Sequence, residues 1–310
     1  MLYDLDGVLY LGAEGIPHAP AAVEAAAAAG LRPVYVTNNA SRRPTTVAAH
    51  LTELGIPAAA ADVVTSAQAT VRILADAIPA GAAVLVVGSD DLAGEIASGG
   101  FVAVRRADGG VAAVAQGLSP EVGWPILAEA ALAIGAGAFW VAANVDTTYP
   151  TPRGSVPGCG AFVAALEVAT GHHPVVAGKP GTALYDEVLR RLPAQRPLVV
   201  GDRLDTDIAM ALAARADSLL VLTGVVDEAA LLRAPRGARP TYVGEDLRAL
   251  AAPQGPVELG ADRAECAGAR AWREGEGWGR DQGNDGLRAA CALAWATADA
   301  LAGAVTDALS

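Results

Sequence analysis

A chain of 310 residues with 53% hydrophobic content is long enough for two cores, or for one large domain carrying an insertion, and is not disordered in composition. Its net charge of -12 argues against a general nucleic-acid or membrane-surface binder, so an anionic ligand would need local positive charge. No apolar run reaches bilayer length, no signal-peptide pattern opens the chain, and Cys159, Cys266 and Cys291 lack disulfide-framework or zinc spacing, so a cytoplasmic protein with ordinary thiols is expected.

Strand and helix signals alternate, which favours a parallel sheet covered by helices. Leu2 to Asp4 is a strand stub that runs into Asp4, Leu5, Asp6 and Gly7, a DxDG. Two carboxylates two positions apart, before a Gly that permits a sharp turn, can supply a nucleophile, a proton shuttle and part of a metal site; a turn with solvated acids has the same spelling. Pro20 to Gly30 is an Ala-rich helix ending on Gly, and Pro33 to Thr37 is an apolar strand. At its end Thr37, Asn38 and Asn39 place a hydroxyl and two amides, suited to phosphate oxygens and equally to capping the next helix, Thr45 to Leu54.

Apolar runs at Ala83 to Val87 and Val111 to Ala115 flank a helical stretch near Asp91 to Ser98, a second small βαβ-like unit. A strand at Phe139 to Ala143 and a helix at Ala161 to Thr170 precede Gly178, Lys179 and Pro180, which hold a lone Lys on stiff backbone. After a helix near Ala183 to Leu192, the strand Leu198 to Val200 runs into GDRLDTD, Gly201 to Asp207. A helix N-cap explains one of its three Asp; the others repel one another and call for a cation or a Lys. A short strand follows at Ser218 to Leu222. The order suggests a core interrupted from about Ile73 to about Val175. Beyond Pro253 the character changes: Gly255 to Gly286 is rich in Gly, charge and Trp without clear periodicity, and Leu287 to Leu309 is an Ala-rich helix.

In their order, DLDGVLY, VTNNASR, AGKP and GDRLDTDI resemble the four motifs of the haloacid dehalogenase (HAD) superfamily of phosphotransferases, in the subfamily, HAD-IIA, with a C2-type cap between the second and third motifs. The resemblance implies an α/β fold: a Rossmann-like doubly wound parallel sheet core (1–72 and 176–253), an inserted α/β C2-type cap (73–175), and a short C-terminal extension (254–310). It also implies a Mg2+-dependent phosphatase for small phosphorylated metabolites. Asp4 would attack phosphorus in line, form an aspartyl-phosphate and ligate the metal. Asp6 would protonate the leaving oxygen and later deprotonate the attacking water, its backbone carbonyl also binding metal, and Asp202 would complete the protein's share of the shell. Thr37, Asn38, Asn39 and Lys179 would bind phosphate, Asn39 alternatively bracing the loop, and Lys179 would also neutralise charge on Asp4 and the transferring group. Asp207 would orient Lys179 or support the metal shell.

The stretch Ala142 to Gly160 resembles the family's substrate-specificity loop, with Asn144, Asp146 and Tyr149 its candidate readers. The cap is most similar to those of actinobacterial glycerol 3-phosphate phosphatases. Glycerol 3-phosphate is therefore the leading substrate, ahead of 2-phosphoglycolate, pyridoxal phosphate, p-nitrophenyl phosphate and nucleoside monophosphates. The expected partners are a small phosphorylated metabolite and a second copy through the cap, with no nucleic acid and no membrane.

Two departures stand out. Only Met1, Leu2 and Tyr3 precede Asp4, where a first strand of about five or six residues is usual. A misplaced start codon would account for this, and mass spectrometry of the native N-terminus decides it; a chain starting at Met1 is expected to be less stable, with a charged amine near the site. Actinobacterial relatives carry a C-terminal extension likened to an acetyltransferase fragment, but the tail here lacks a Q/R-x-x-G-x-G pyrophosphate loop, and no acyl transfer is expected of it. Other classes fit less well. A response-regulator receiver is far shorter, and a dinucleotide oxidoreductase needs an absent GxGxxG. A catalytically silent HAD-fold binding protein and a phosphomutase are the remaining rivals.

Overall fold

Strand-forming runs of Val and Leu alternate with Ala-rich helices along the chain, as a computed structural model describes for residues 1–151, 153–275 and 277–309. In chain order, β1 (Leu2–Tyr3) leads through a hairpin, β2 (Tyr10–Leu11) and β3 (Glu14–Gly15), to α1 (Ala19–Ala28). β4 (Val34–Thr37), α2 (Pro44–Glu53), β5 (Val63–Thr65) and α3 (Ser66–Ala77) follow. Next come β6 (Ala83–Val87), α4 (Asp90–Ser98), β7 (Val102–Val104), β8 (Ala113–Gln116), α5 (Trp124–Gly135) and β9 (Phe139–Ala142). A hairpin of β10 (Thr148–Thr151) and β11 (Gly154–Pro157) precedes α6 (Cys159–Thr170), β12 (Val175–Val176) and α7 (Ala183–Arg191). The chain continues through β13 (Leu198–Gly201), α8 (Ala209–Ala213), β14 (Asp217–Val221), α9 (Glu228–Leu232) and β15 (Tyr242–Gly244). It ends with β16 (Val257–Leu259), β17 (Arg263–Cys266), β18 (Ala269–Glu274), β19 (Gly277–Arg280) and α10 (Asn284–Leu309).

Contacts divide the chain into two compact units: Met1–Val34 with Leu54–Ile56 and Gln195–Ser310, and Tyr35–Glu53 with Pro57–Ala194. In the first unit β15, β14, β13 and β1 lie side by side in that order, all parallel. β1 has only two residues, yet Leu2 is 2% and Tyr3 0% exposed, as befits a parallel strand covered on both faces. The Met1 amine donates to the Arg32 carbonyl (2.9 Å), and burial lowers its pKa. It therefore lies at the opposite end of β1 from Asp4.

The tail departs from the sequence reading. Where no periodicity was evident, β16 to β19 form an antiparallel meander packed on α10. Its buried face is Ala264, Cys266 and Ala271, set against Ala289, Ala290 and Leu293. Small residues alternating with Arg and Glu carry the period of two, so the usual signal of large β-branched side chains is missing.

In the second unit β4 pairs with β5, and a separate parallel sheet runs β12-β9-β8-β6-β7. Its core joins Leu85, Val114 and Trp140 to Ala130 and Ile134 of α5 and to Val163 and Leu166 of α6. The sequence reading missed α5, whose apolar run has no polar face to mark a helical period, and the three-residue β7.

On α7, Glu187 is 3% exposed and accepts from Arg190 (2.8 and 2.9 Å) and Arg191 (2.6 Å), while Arg191 also reaches Gln68 of α3 (3.3 Å). Burial raises the pKa of this carboxyl, but the two guanidiniums outweigh it and hold it below the ordinary value. A depressed folded pKa stabilises above the unfolded value of about 4.3 and ceases to do so as pH falls through the folded one. Glu187→Gln should therefore lower the melting temperature at pH 7 by roughly 4–8 °C, equivalent to about 2 kcal/mol. The gap should close toward pH 3 in thermal melts run across that range; a gap independent of pH would refute the ion-pair account.

Candidate active site

Three elements of the first unit bring acids to the carboxyl ends of its parallel strands, where open α/β sheets bind ligands. Asp4 follows β1 and donates its N–H to the Val200 carbonyl (2.8 Å), which fixes it beside β13. Asp202 follows β13 and is 1% exposed; Asp207, also 1% exposed, comes from the π-helical turn Leu204–Ile208. One carboxylate oxygen from each of Asp4, Asp202 and Asp207 lies within 4.8 Å of the others. The third acid of GDRLDTD behaves differently: Asp205 pairs with Arg203 (2.7 and 3.0 Å), whose hydrogen bonds hold its pKa below the usual carboxylate range. Asp6 is exposed, its backbone bridged to Tyr10.

A loop after β14, unremarked in the sequence, braces these acids. Val225 donates its N–H to Asp202 Oδ2 (2.6 Å), Val226 its N–H to the Asp202 carbonyl (3.2 Å), and Thr223 Oγ1 donates to the Gly7 carbonyl (2.6 Å). Gly7 and Gly224 flank the Asp202 carboxylate so closely that a Cβ on either would collide with it. A Thr-Gly pair directly after an apolar strand was the available signal. Three hard oxygen donors, two of them on buried residues and enclosed by glycine backbone, suit a small divalent cation such as Mg2+. Asp207 belongs to that acidic group by geometry, alongside Asp4 and Asp202.

In the second unit the polar residues are tied to one another. Thr37, 4% exposed at the end of β4, accepts the Asn39 N–H on Oγ1 (3.0 Å). Asn39 Oδ1 accepts from the N–H (2.8 Å) and hydroxyl (2.7 Å) of Ser41, a loop-bracing turn. Asn38 grips Lys179 from both sides: its Oδ1 accepts the Lys179 N–H (2.7 Å) and its Nδ2 donates to the Lys179 carbonyl (3.1 Å). Lys179 is 3% exposed, its backbone fixed by that amide and followed by a cis Pro180.

The cap loop joins the same network. Asn38 Nδ2 also reaches both Asp146 oxygens (3.3 and 3.4 Å), Asn144 Nδ2 donates to the Asn38 carbonyl (2.7 Å), and Ser66 Oγ donates there too (2.6 Å). The side chains of Asn38, Asn39 and Asn144 thus have bracing work inside the protein. Tyr149 stands apart, 39% exposed on the β10–β11 hairpin. Ser66, overlooked in sequence, is a helix N-terminal residue whose role depends on a partner 28 positions away.

The sequence profile of the haloacid dehalogenase-like hydrolases matches residues 1–102, and a HAD-hydrolase-like profile matches 176–250. The D-glycerol 3-phosphate phosphatase of Mycobacterium tuberculosis is 52% identical over 250 residues, 81% of this chain and 70% of that protein. The acid sugar phosphatase of Staphylococcus saprophyticus is 36% identical over 248 residues, 79% of this chain and 94% of that one. Among solved structures, the M. tuberculosis glycerol phosphate phosphatase in complex with magnesium superposes with a TM-score of 0.81 at 45% identity, covering 96% of this chain and 89% of that chain. The p-nitrophenyl phosphatase of Archaeoglobus fulgidus gives 0.75 at 28% identity, covering 80% and 96%.

Proposed function

This chain belongs to the haloacid dehalogenase-like hydrolases, and on that premise we propose that it is a Mg2+-dependent phosphatase whose leading substrate is glycerol 3-phosphate. The observation that carries the reading is the meeting of Asp4, Asp202 and Asp207 where DxDG leaves β1. Asp4 is the nucleophile: its carboxylate oxygen bonds to phosphorus as the ester P–O bond breaks, and exposed Asp6 gives its proton to the departing alkoxide. Asp6 then takes a proton from water as that water attacks the aspartyl-phosphate, freeing phosphate and regenerating Asp4. Asp4, Asp202, the Asp6 carbonyl and Asp207 would hold magnesium, which when bound supplies positive charge against the repulsion between Asp4 and the phosphate.

Thr37, Asn38, Asn39 and Lys179 are the proposed phosphate-binding set. Lys179 contributes the charge, and the Asn38 grip on its backbone fixes where that charge points. On this reading the chain comprises a core of 1–72 and 176–253, a cap of 73–175 and an extension of 254–310, with Asn144, Asp146 and Tyr149 of the cap loop selecting the substrate. The protein would be cytoplasmic, act on free metabolites and not on nucleic acid or membrane, and pair through its cap. The charge of -12, the lack among the described residues of a helix long and apolar enough to cross a membrane, and exposed Trp124 and Leu132 on α5 support these points.

Phosphate release measured over glycerol 3-phosphate, 2-phosphoglycolate, pyridoxal phosphate, p-nitrophenyl phosphate and nucleoside monophosphates tests the reading. The highest kcat/KM is expected for glycerol 3-phosphate, with release falling to background in EDTA and returning on adding magnesium. Release from none of these esters would leave a silent binding protein. Transfer of the phosphoryl group to a second metabolite in place of water would identify a phosphomutase.

A further inference from the structure

The C-terminal extension reaches the loops around the acidic site, most directionally through Arg280. Arg280, at the end of β19, spends all five N–H donors on the protein. Its Nε and Nη2 fork onto Glu228 (2.9 Å each), Nη2 also reaches Glu245 (3.0 Å), and Nη1 meets the carbonyls of Asp281 (3.0 Å) and Gly283 (3.3 Å). No donor is left for a ligand, so this guanidinium works as a brace.

Glu228 is the first residue of α9, and the chain just before it is the loop that holds Asp202: Thr223 on the Gly7 carbonyl, Val225 and Val226 on Asp202. Asp227 caps α9 by accepting the Ala230 N–H (2.7 Å). The other end of α9 is also held from the tail, by the Trp295 indole donating to the Leu231 carbonyl (3.1 Å). Beneath it, Leu287 and Cys291 of α10 complete a core with Ile208, from the turn that carries Asp207, and with Leu220 and Leu231. Glu245, the second carboxylate on Arg280, follows β15 and has its N–H held by Asn284 Oδ1 (2.7 Å).

We infer that the C-terminal extension is a positioning element for the metal site, with Arg280 setting the 223–228 loop and hence the orientation of Asp202. This rests on the reading of Asp4, Asp202 and Asp207 as magnesium ligands. A bidentate Arg–carboxylate fork is directional, so its loss frees the amino end of α9 to shift, and the Val225 N–H moves with it. Removing such outer support weakens metal binding by roughly 10–100-fold in comparable sites.

Magnesium affinity, read by calorimetry on the full chain without any phosphoester, tests the inference. Arg280→Ala should weaken it at least tenfold, and Arg280→Lys, which keeps the charge but not the fork, should fall between. Arg263→Ala, which removes an exposed guanidinium from the same tail sheet, should leave it unchanged. Arg280→Ala combined with Glu228→Gln should cost no more than Glu228→Gln alone. In turnover, kcat should recover when magnesium is raised, while KM for the ester changes less than twofold.

Unchanged magnesium affinity in folded Arg280→Ala overturns the inference, as does a lower kcat that no magnesium concentration restores. Should Arg280→Ala fail to fold, Arg280→Lys and Glu228→Gln read the same quantity, and wild-type affinity in both overturns it. If wild-type protein binds magnesium but hydrolyses no ester, the phosphatase reading fails and this one stands. If it binds no magnesium, both fail.

Discussion

Asp4→Asn should cut phosphate release on the order of 10⁴-fold or more, the scale on which loss of a covalent nucleophile registers. An amide oxygen is far less nucleophilic than a carboxylate, and the substitution also removes one of three charges meeting at the end of β1. Asn keeps the backbone N–H that Asp4 donates to Val200, so the variant should keep its place beside β13. Stabilisation by added magnesium should shrink, because ligand-linked stabilisation scales with affinity. Phosphate assays beside thermal melts with and without magnesium check both halves. Near wild-type release in Asp4→Asn would refute the assignment of the nucleophile.

Asp4 and the acids of GDRLDTD stand out in the sequence because their logic is local. Carboxylates gathered directly after an apolar strand are hard to explain otherwise, and the strand places them at the sheet's carboxyl edge. Telling Asp205 from Asp207 was beyond that logic. Both lie in the same turn, and only the π-helical path from Leu204 to Ile208 buries Asp207 while leaving Asp205 to Arg203.

Asn38 shows the opposite limit. A strand-end Asn can hold phosphate or protein, and its grip on Lys179 spans 141 residues. The bracing loop from Thr223 to Val226 is hard to see for a related reason, since both of its donors to Asp202 are backbone N–H groups carried by any sequence. The tail sheet escaped notice because its inward face is Ala and Cys, which contribute little to a hydrophobic period although they pack well against the Ala-rich α10.

Gly7→Ala should lower kcat/KM by about 100-fold and weaken magnesium binding by a similar factor, on the scale of disturbing a group that orients a metal ligand. Two separate demands fall on this residue. Its φ of 86° lies in the left-handed region, which costs a non-glycine residue roughly 1–2 kcal/mol. A Cβ there would also run into the Asp202 carboxylate, itself pinned by Val225 at 2.6 Å. Gly12 separates the two demands, because its φ is 62° but a Cβ on it meets nothing within 4 Å. Gly12→Ala should therefore lose about 1 kcal/mol of stability and keep wild-type magnesium affinity. Melting curves and magnesium titrations on the two variants give a direct comparison: equal metal affinity in both would mean that Gly7 serves the turn alone, whereas a loss confined to Gly7→Ala shows that the bare Cα makes room for Asp202.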